Sequence, residues 1–335
     1  MRATIRDVAR EAGVSIATVS RVMRDSDAVR PATRDRVRAV AAALEFVPSQ
    51  LGSQLAERRH AANGIVFPDL SGPYYAEVVL GYESVAAELG RSVLILSTRG
   101  RDDADAAVHA MAERCDGLVI LGRTVSDESV ERLAARGANV VLVARPPVGG
   151  VDSVSAENRT SSRALTQHLL DLGARRLVFV GDPSTSPDVA ERLAGVQEAF
   201  DDQAGALVEL HHVDDLDETA GAHLVGDYLT RALPDAFVCA NDELALGMLG
   251  RLRAAGVDIP GRVKVTGWDD VMAARYADLT TVRQPMRELG SSAARRLDEL
   301  ITGTRARPRH DVLPTELVIR STTLDSSHLG RVVHP

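Results

Sequence analysis

The chain has 335 residues, a length that predicts about two domains. Apolar residues make up 45% of it and charged residues 26%, a balance that excludes a disordered or fibrous protein. No apolar run reaches the roughly 18–20 residues of a membrane span, and the first residues lack the apolar core of a secretion signal. Two cysteines are too few for a disulfide framework or a zinc cluster, so we expect a soluble, cytoplasmic protein.

The net charge of −8 is distributed unevenly along the chain. Residues 1–60 hold eleven arginines and seven acidic residues, a net charge of +4. The remaining residues hold 28 basic and 40 acidic groups, a net charge of −12. A basic segment on an acidic chain is typical of a protein whose one end meets a polyanion such as DNA, although charge alone fits a solvated surface equally well.

The first 48 residues have the pattern of a small helical domain. Thr4 and Asp7 have the spacing of a capping box at the start of a helix, which Gly13 ends. A second helix is predicted over Ser15–Met23 and a third over Pro31–Leu44, each with an apolar stripe on one side. Two helices joined by a glycine-containing turn and followed by a third helix predict a helix-turn-helix DNA-binding domain.

After residue 61, short apolar runs alternate with helical patterns. The predicted strands are Gly64–Pro68, Ser92–Ser97, Gly117–Leu121, Asn139–Ala144, Leu177–Gly181, Leu207–Val213, Ala236–Ala240 and Val263–Trp268. Predicted helices between them include Tyr74–Leu89, Asn158–Leu172, Asp188–Phe200 and Glu243–Ala255. This alternation predicts an α/β fold with parallel sheets, and so many strands suit two doubly wound lobes better than one sheet.

The predicted organisation has four parts. Residues 1–48 form the DNA-binding domain, 49–60 a hinge helix or linker, 61–323 a two-lobed core and 324–335 a tail. The chain is expected to pass between the lobes near 154–158. A ligand would then bind between the lobes, at the carboxyl ends of the strands.

The core lacks the motifs of several enzyme classes. We find no GxGxxG, GxxxxGK[ST], GxSxG or HExxH sequence, so neither a nucleotide cofactor, serine hydrolysis nor zincin chemistry is supported. His211 and His212 lie near Asp214 and could suggest a metal site, but a solvated strand end explains them better. We therefore expect no cofactor, no metal and no enzymatic activity.

Two stretches near the amino terminus, Thr4–Ala9 and Ala12–Val22, resemble the LacI (lactose repressor) family of bacterial transcription regulators. The likeness extends to about Thr323 and is highly specific. Further matching stretches are Thr33–Val37, Leu44–Pro48, Leu55-Ala56, Pro68–Leu70, Pro73–Tyr75, Glu191–Gly195, Ala240–Asp242, Gly267–Asp270 and Thr280–Gln284. The resemblance implies a homodimer in which each amino-terminal domain binds half of a palindromic operator in double-stranded DNA.

The resemblance also assigns DNA contacts. It places Ile16, Ala17 and Arg21 toward base edges in the major groove, where Arg can bind guanine and the apolar side chains a thymine methyl group. Residues expected near phosphates are Thr4, Ser15, Thr18, Ser20 and Thr33, joined by Arg24, which stands where the family often has Asn. Each hydroxyl taken alone is also consistent with a helix cap or a surface position.

Leu55 of the hinge matches the leucine that the family inserts into the minor groove at the operator centre. Such an apolar wedge unstacks a base step and kinks the duplex. Without the resemblance, a leucine that docks the hinge onto the core would be the simpler interpretation. Gly52 replaces a better helix former in this segment and costs the helix about 0.5–1 kcal/mol, so we expect hinge folding to depend more strongly on DNA.

For the core, the resemblance implies the periplasmic sugar-binding fold, with further lobe crossings near 283 and 312. Tyr74 and Tyr75 match aromatic positions that stack on a sugar or another ring. The polar positions that match the effector site are Arg145, Arg192, Asn241, Asp269 and Gln284. Alternatively, Arg192 and Asp269 pair with each other across the cleft, and Tyr74 only packs its helix.

Two departures from the family pattern weaken the case for a sugar. Ala144 stands where sugar-responsive members place an acid, and Gly72 stands where many have Asn. Repression under allosteric control by a sugar or related metabolite is nevertheless the function the sequence favours. The alternatives are a transcriptional activator, a solute-binding protein without a role in transcription, and a sugar-modifying enzyme. The short tail carries no leucine heptads, so a dimer is expected.

Overall fold

The computed structural model describes residues 3–23, 25–46, 61–201, 205–305 and 307–324. The chain divides into two compact units, Met1–Ala62 and Asn63–Pro335, which are called the head and the body below. Among the described residues, none of the helices combines the length and the apolar character that crossing a membrane requires.

The head contains three helices, α1 (Ile5–Glu11), α2 (Ile16–Met23) and α3 (Pro31–Ala43). At the start of α1 the backbone N–H of Thr4 donates to Asp7 Oδ2 at 3.0 Å, as the capping-box spacing predicts. Gly13 has φ +62°, a conformation that glycine adopts without strain, and it turns the chain between α1 and α2. Val8, Val19 and Val37, one from each helix, are fully buried and form the centre of the core of the head.

The first lobe of the body is built on a six-stranded sheet. Its strands lie in the order β11-β5-β4-β3-β1-β2, and the pairs β1–β3, β3–β4, β4–β5 and β5–β11 are parallel. The strands are β1 (Ala62–Phe67), β2 (Ser92–Ser97), β3 (Gly117–Leu121), β4 (Val140–Val143), β5 (Asp152–Ala156) and β11 (His310–Leu313).

Helices cover both faces of this sheet. The helices concerned are α4 (Pro73–Glu88), α5 (Ala104–Ala112), α6 (Asp127–Ala135) and α12 (Met286–Thr302). Along β1, Ile65 and Phe67 pack with α4 and α12, whereas Val66 packs with α5 and α6. Successive side chains of a strand point to opposite faces, so a sheet buried on both sides reads as a continuous apolar run.

The second lobe contains a four-stranded parallel sheet in the order β7-β6-β8-β9. These strands are β6 (Arg176–Val180), β7 (Leu207–His211), β8 (Ala236–Cys239) and β9 (Lys264–Thr266). The helices of this lobe are α7 (Arg159–Asp171), α8 (Pro187–Phe200), α9 (Glu218–Leu229), α10 (Asp242–Ala254) and α11 (Met272–Tyr276). A two-stranded antiparallel ribbon of β10 (Thr281–Arg283) and β12 (Glu316–Val318) completes the lobe.

The eight predicted strands are all present, with shifts of one or two residues at their ends. The prediction missed β5, β10, β11 and β12. Residues 152–156 form β5, and the chain leaves the first lobe between β5 and α7, close to the expected crossing near 154–158. It returns between β10 and α12 and leaves again between β11 and β12, so three chain segments connect the lobes.

Candidate functional site

Helix α2 of the head has a clear division between a buried and an exposed side. Val19 and Val22 are buried in the core. On the other side Ile16, Ala17 and Arg21 are exposed, and Ile16 exposes 46% of its surface although it is a large apolar residue. The side chain of Arg21 has no hydrogen bond or ion pair with a described residue. The three positions expected to read bases thus lie together on the solvent side of one helix, and their contact with DNA remains a prediction.

The hydroxyl groups expected near phosphates have local roles at helix starts. Ser15 Oγ accepts a hydrogen bond from the backbone N–H of Thr18 at 3.1 Å and lies 2.9 Å from Thr18 Oγ1. The Thr4 hydroxyl donates to Asp7 Oδ2 at 2.7 Å and holds the pKa of Asp7 below its ordinary value. Ser20 and Thr33 are half-buried. The interpretation of Thr4 and Ser15 as helix caps is therefore correct, and a phosphate contact by the same groups remains a prediction.

Two sets of predictions fall on residues that the structure does not describe. These are the phosphate contact of Arg24 and the hinge predictions for Leu55, Gly52 and the whole segment 49–60.

In the body, a cavity of about 440 Å³ lies between the two lobes. Its lining follows the carboxyl ends of parallel strands from both sheets. The first lobe contributes Asp69 after β1, Arg123 after β3 and Ala144 after β4. The second lobe contributes residues 214–217 after β7, Asn241 and Glu243 after β8, and Asp269 after β9. This is the place where parallel α/β sheets bind ligands, because their loops converge there.

Arg192 of α8 is held rigidly in the wall of this cavity. Its Nε donates to Asn158 Oδ1 at 2.8 Å and its Nη1 to the carbonyl oxygen of Ala240 at 2.6 Å. The guanidinium carbon lies 4.5 Å from the centre of the Trp268 ring, a favourable cation–π distance. Its ionic neighbour is Asp188, one turn earlier on the same helix, with 4.0 Å between Nη2 and Oδ2. Arg192 is thus preorganised by the second lobe alone.

The alternative in which Arg192 and Asp269 pair across the cleft is wrong, because both residues belong to the second lobe and no ion pair joins them. Asp269 Oδ1 accepts its hydrogen bond from Gln284 Nε2. Asp269 has φ +113°, a value that a residue with a side chain adopts only when the surrounding structure enforces it. Burial and the negative charge of Asp188 raise the pKa of Asp269, while Arg192 and Gln284 oppose the rise.

Asn241, Tyr74 and Tyr75 also line the cavity. The Asn241 side chain caps α10, since its Oδ1 accepts from the backbone N–H of Leu244 at 3.0 Å and its Nδ2 donates to Leu216 O at 2.7 Å. The rings of Tyr74 and Tyr75 pack edge to face with 5.2 Å between their centres. The Tyr74 hydroxyl is buried and has no hydrogen-bond partner among the described residues, and a role for Tyr74 beyond packing its helix remains a prediction.

The structure does not bring Arg145 to the cavity, and the prediction for this residue is corrected. Arg145 is 2% exposed and its guanidinium turns into the first lobe. Nη1 donates to Gly122 O at 3.0 Å and to Val125 O at 3.1 Å, and Nη2 pairs with Asp127. A buried guanidinium needs acceptors, and the loop after β3 supplies all of them. The neighbouring Ala144, at φ +56°, lines the cavity instead.

Several charged residues of the cavity were missed by the sequence reasoning. Asp188 is buried, and burial raises its pKa. Burial together with nearby acids, Asp269 foremost, raises the pKa of Glu243 to about 7. Arg99 pairs with Asp69 of its own lobe and with Asp215 of the second lobe. The position of Asp188 one helical turn before Arg192, and that of Glu243 directly after Asn241-Asp242, are the signals that could have identified two of them.

This arrangement is suited to binding. Its polar groups are held by neighbouring side chains and backbone carbonyls, and such fixed donors and acceptors select a ligand by complementarity. Within the described residues, no group of three His, Cys, Asp or Glu side chains is arranged to hold a metal ion. His212, just after β7, is exposed, whereas His211 at the end of β7 is half-buried with its ring centre 6.0 Å from that of Tyr228.

Comparison with known protein families gives two matches along the chain. Residues 4–49 match the family described as bacterial regulatory proteins, lacI family. Residues 166–323 match the periplasmic binding protein-like domain.

Individual relatives match over nearly the whole chain. The HTH-type transcriptional regulator GalR of Salmonella typhimurium is 32% identical over 341 residues, which cover 98% of this chain and 99% of GalR. Among solved structures, the lac repressor dimer bound to operator and the anti-inducer ONPF has a TM-score of 0.84 and 28% identity, covering 97% of this chain and 100% of that one. The complex of the transcriptional regulator CelR with cellobiose has a TM-score of 0.71 and 30% identity, covering 96% and 100% of the two chains.

Proposed function

Because the chain belongs to the LacI family of bacterial transcription regulators, we propose that it is a dimeric repressor that binds a palindromic operator and is controlled by a small-molecule effector in the cavity of the body. As a member of this family it is a DNA-binding regulator and not an enzyme. We place it in the cytoplasm, in association with the nucleoid, because the DNA it regulates lies there.

The observation that carries the proposal is the exposed side of α2. Ile16 and Arg21 are exposed, while Val19 and Val22 of the same helix form the core. Exposing a large apolar side chain to water gains the head no burial energy for that surface, whereas in the major groove it can contact a thymine methyl group beside an arginine that binds guanine. The lac repressor, a structural neighbour, has been observed as a dimer on its operator. This likeness supports the same arrangement here, with one head on each half of the operator.

The effector site is proposed at the cavity between the lobes. Arg192, Asp269 and Gln284 supply fixed polar groups there, and Tyr74 and Tyr75 supply aromatic surface. A neighbour has been solved with cellobiose, which supports a sugar or a related polyhydroxylated metabolite as effector. Arg145 is no longer part of the proposed site.

Control is proposed to work through a shift between two populations of the body. A ligand that contacts both lobes favours one value of the angle between them. The linker 49–60 transmits this change in angle to the head. The ligand needs only a difference in affinity between the two states, and operator and effector then affect each other's binding equally.

Selection of bound sequences from a random DNA pool tests the proposal. The full-length protein is expected to enrich a palindrome whose half-sites are bound by the two heads of a dimer. A thermal-shift screen of sugars and nucleobases then identifies ligands of the body, and each hit is added to the operator complex. Enrichment of no sequence above the starting pool would contradict the proposal, as would ligands that leave operator affinity unchanged.

A further inference from the structure

The cavity between the lobes is strongly acidic. Seven carboxylates and three arginines are among its lining residues, and no lysine or histidine lies among them. Two of the three arginines are already committed: Arg99 is held between Asp69 and Asp215, and Arg192 binds Asn158 and a backbone carbonyl beside Asp188. The negative charge of the cavity is therefore not neutralised from within the described part of the chain.

Glu243 is one of the lining carboxylates of the second lobe. It lies in the first turn of α10, and its carboxylate has no hydrogen bond or ion pair with a described residue. A Cβ built on Gly72 would lie 2.7 Å from Glu243 Oε2. Gly72 precedes α4 in the first lobe, so the Glu243 carboxylate reaches across the cleft. The absence of a side chain at Gly72 leaves room for it there.

An independent observation shows that the cavity requires hydrogen-bond donors. Gln284 is 4% exposed and uses its amide nitrogen to bind Asp269, which fixes the orientation of the amide. Its Oε1 is buried and has no donor among the described residues, and Gln284 is a lining residue of the cavity. A buried acceptor without a partner is costly, and a ligand N–H or O–H group would satisfy it.

The aromatic side of the cavity lies in the same negative field. Besides burial, the charges of Asp269, Asp69 and Glu243 raise the pKa of Tyr75, and those of Asp188 and Asp269 raise the pKa of Tyr74. The tyrosines of the first lobe thus lie close to the carboxylates of the second lobe. Aromatic rings and carboxylates stabilise an organic cation in complementary ways, through the ring quadrupole and through direct charge pairing.

We propose that the effector is a polyhydroxylated small molecule carrying a protonated amine, and that the amine binds between Tyr74–Tyr75 and the carboxylates of Glu243 and Asp269. This inference rests on the proposed function, in which this cavity is the effector site. The inference restricts the proposed sugar-like effectors to those that carry a basic amine. The amine neutralises the carboxylates, the remaining N–H or O–H groups satisfy Gln284 Oε1, and Arg192 donates hydrogen bonds to the oxygen atoms of the polyol.

Matched pairs of sugars test the charge of the ligand directly. Calorimetry on the full-length protein at pH 7 compares D-glucosamine with D-glucose, D-galactosamine with D-galactose, and the disaccharide of β-1,4-linked glucosamine with cellobiose. At least one amine is expected to bind ten times or more tighter than its neutral partner. Binding of that amine is also expected to release protons, because it favours the ionised form of Glu243. The number of protons released is measured by repeating the calorimetry in different buffers, because the observed heat then depends on the buffer.

Two variants separate the role of Glu243 from a general effect on folding. Glu243→Gln keeps the shape of the side chain and is expected to reduce the preference for the amine over its neutral partner at least fivefold. Glu131→Gln removes the same charge from the exposed side of α6, far from the lining, and is expected to keep the full preference. Thermal melting of both variants checks that they are folded.

Three results would overturn the inference. These are neutral sugars that bind as tightly as their amines, no binding of any amine, or a preference that Glu243→Gln leaves intact. If neutral sugars bind and weaken the operator complex, the proposed function stands and the inference alone fails. If the protein selects no operator from random DNA, the proposed function fails as well.

Discussion

Arg99 and Asp215 form an ion pair that joins the two lobes of the body at the cavity between them, with 2.7 Å between Nη2 and Oδ1. Arg99 belongs to the first lobe, where it also pairs with Asp69, and Asp215 follows β7 in the second lobe. Both side chains are about half exposed, at 56% and 51%, so the pair contributes at most about 1 kcal/mol. It favours the lobe arrangement seen here over a more open one.

Removing this ion pair is expected to speed the release of the effector. Arg99→Ala should raise the dissociation rate up to about fivefold, the factor that corresponds to about 1 kcal/mol. Stopped-flow measurement at low and high salt checks the effect, because salt screens an exposed pair and should weaken binding to wild type more than to the variant. Arg101→Ala is the matched control, since the one ion pair of Arg101 among the described residues is with the nearby Asp103. Equal rates and equal salt dependence in wild type and Arg99→Ala would contradict this role.

Arg21→Ala is expected to weaken specific binding to the operator by about 1–3 kcal/mol, which is roughly fivefold to more than a hundredfold. The reason is the loss of the one arginine on the exposed side of α2 that is free to bind a base among the described residues. Fluorescence anisotropy with the selected operator and with random DNA measures the difference. Arg251→Ala removes an equal charge from an exposed position of α10 and should bind like wild type. An Arg21→Ala protein with full specificity would refute the assignment of this helix.

Close packing of α4 on α12 predicts a stability effect in the first lobe. A Cβ on Gly81 would lie 1.9 Å from the carbonyl oxygen of Arg287, so Gly81→Ala must push the two helices apart. We expect a loss of about 1–3 kcal/mol in the free energy of unfolding, measured by urea denaturation. Gly250→Ala is the control, because Gly250 lies within α10 and has nothing within 4 Å of its Cβ position. That variant should gain about 0.5–1 kcal/mol, and a loss as large as that of Gly81→Ala would contradict the packing argument.

The raised pKa of Glu243 links stability to pH. Burial and the nearby acids Asp269, Glu218, Asp217 and Asp69 raise its pKa from 4.5 to about 7 in the folded protein. The folded state therefore holds this proton more tightly than the unfolded state. Its contribution to stability is complete below about pH 4.5 and is lost as the pH rises through 7.

Urea denaturation from pH 5 to pH 8, at constant protein concentration, checks this linkage. Wild type should lose about 1–2 kcal/mol more than Glu243→Gln over that interval, because glutamine cannot ionise and solvent screens part of the effect. Glu131→Gln should follow wild type. Parallel pH profiles for wild type and Glu243→Gln would show that the carboxyl group is not perturbed.

Much of the fold was predictable because its signals are local. The β1 run from Gly64 to Phe67 is buried on both faces, so its apolar character is continuous. Strand β5 was missed because Asp152 and Ser153 are buried polar residues that interrupt this pattern. Their partners, Arg305 and His310, lie more than 150 residues away and are invisible to a local reading.

Residues of the site could be predicted where their position at the end of a strand fixes the direction of the side chain. Asn241 and Asp269 follow the carboxyl ends of β8 and β9, and strand ends of a parallel sheet meet at one edge. Arg145 follows the end of β4 as well, but the backbone at Ala144 has φ +56° and the chain turns the next side chain inward. The approach of Glu243 to Gly72 depends on how two lobes meet, and spacing along one lobe carries no information on it.

The most direct test of the account measures operator binding with and without a ligand of the cavity. The ligand is the compound that most stabilises the body in the thermal-shift screen. Wild type is expected to change its operator affinity at least tenfold at saturating ligand, which corresponds to a coupling of about 1.4 kcal/mol. Arg192→Ala and Asp269→Asn, each shown to be folded by thermal melting, should respond less than twofold. Operator affinity in wild type that is the same with and without the bound ligand would contradict control through the cavity.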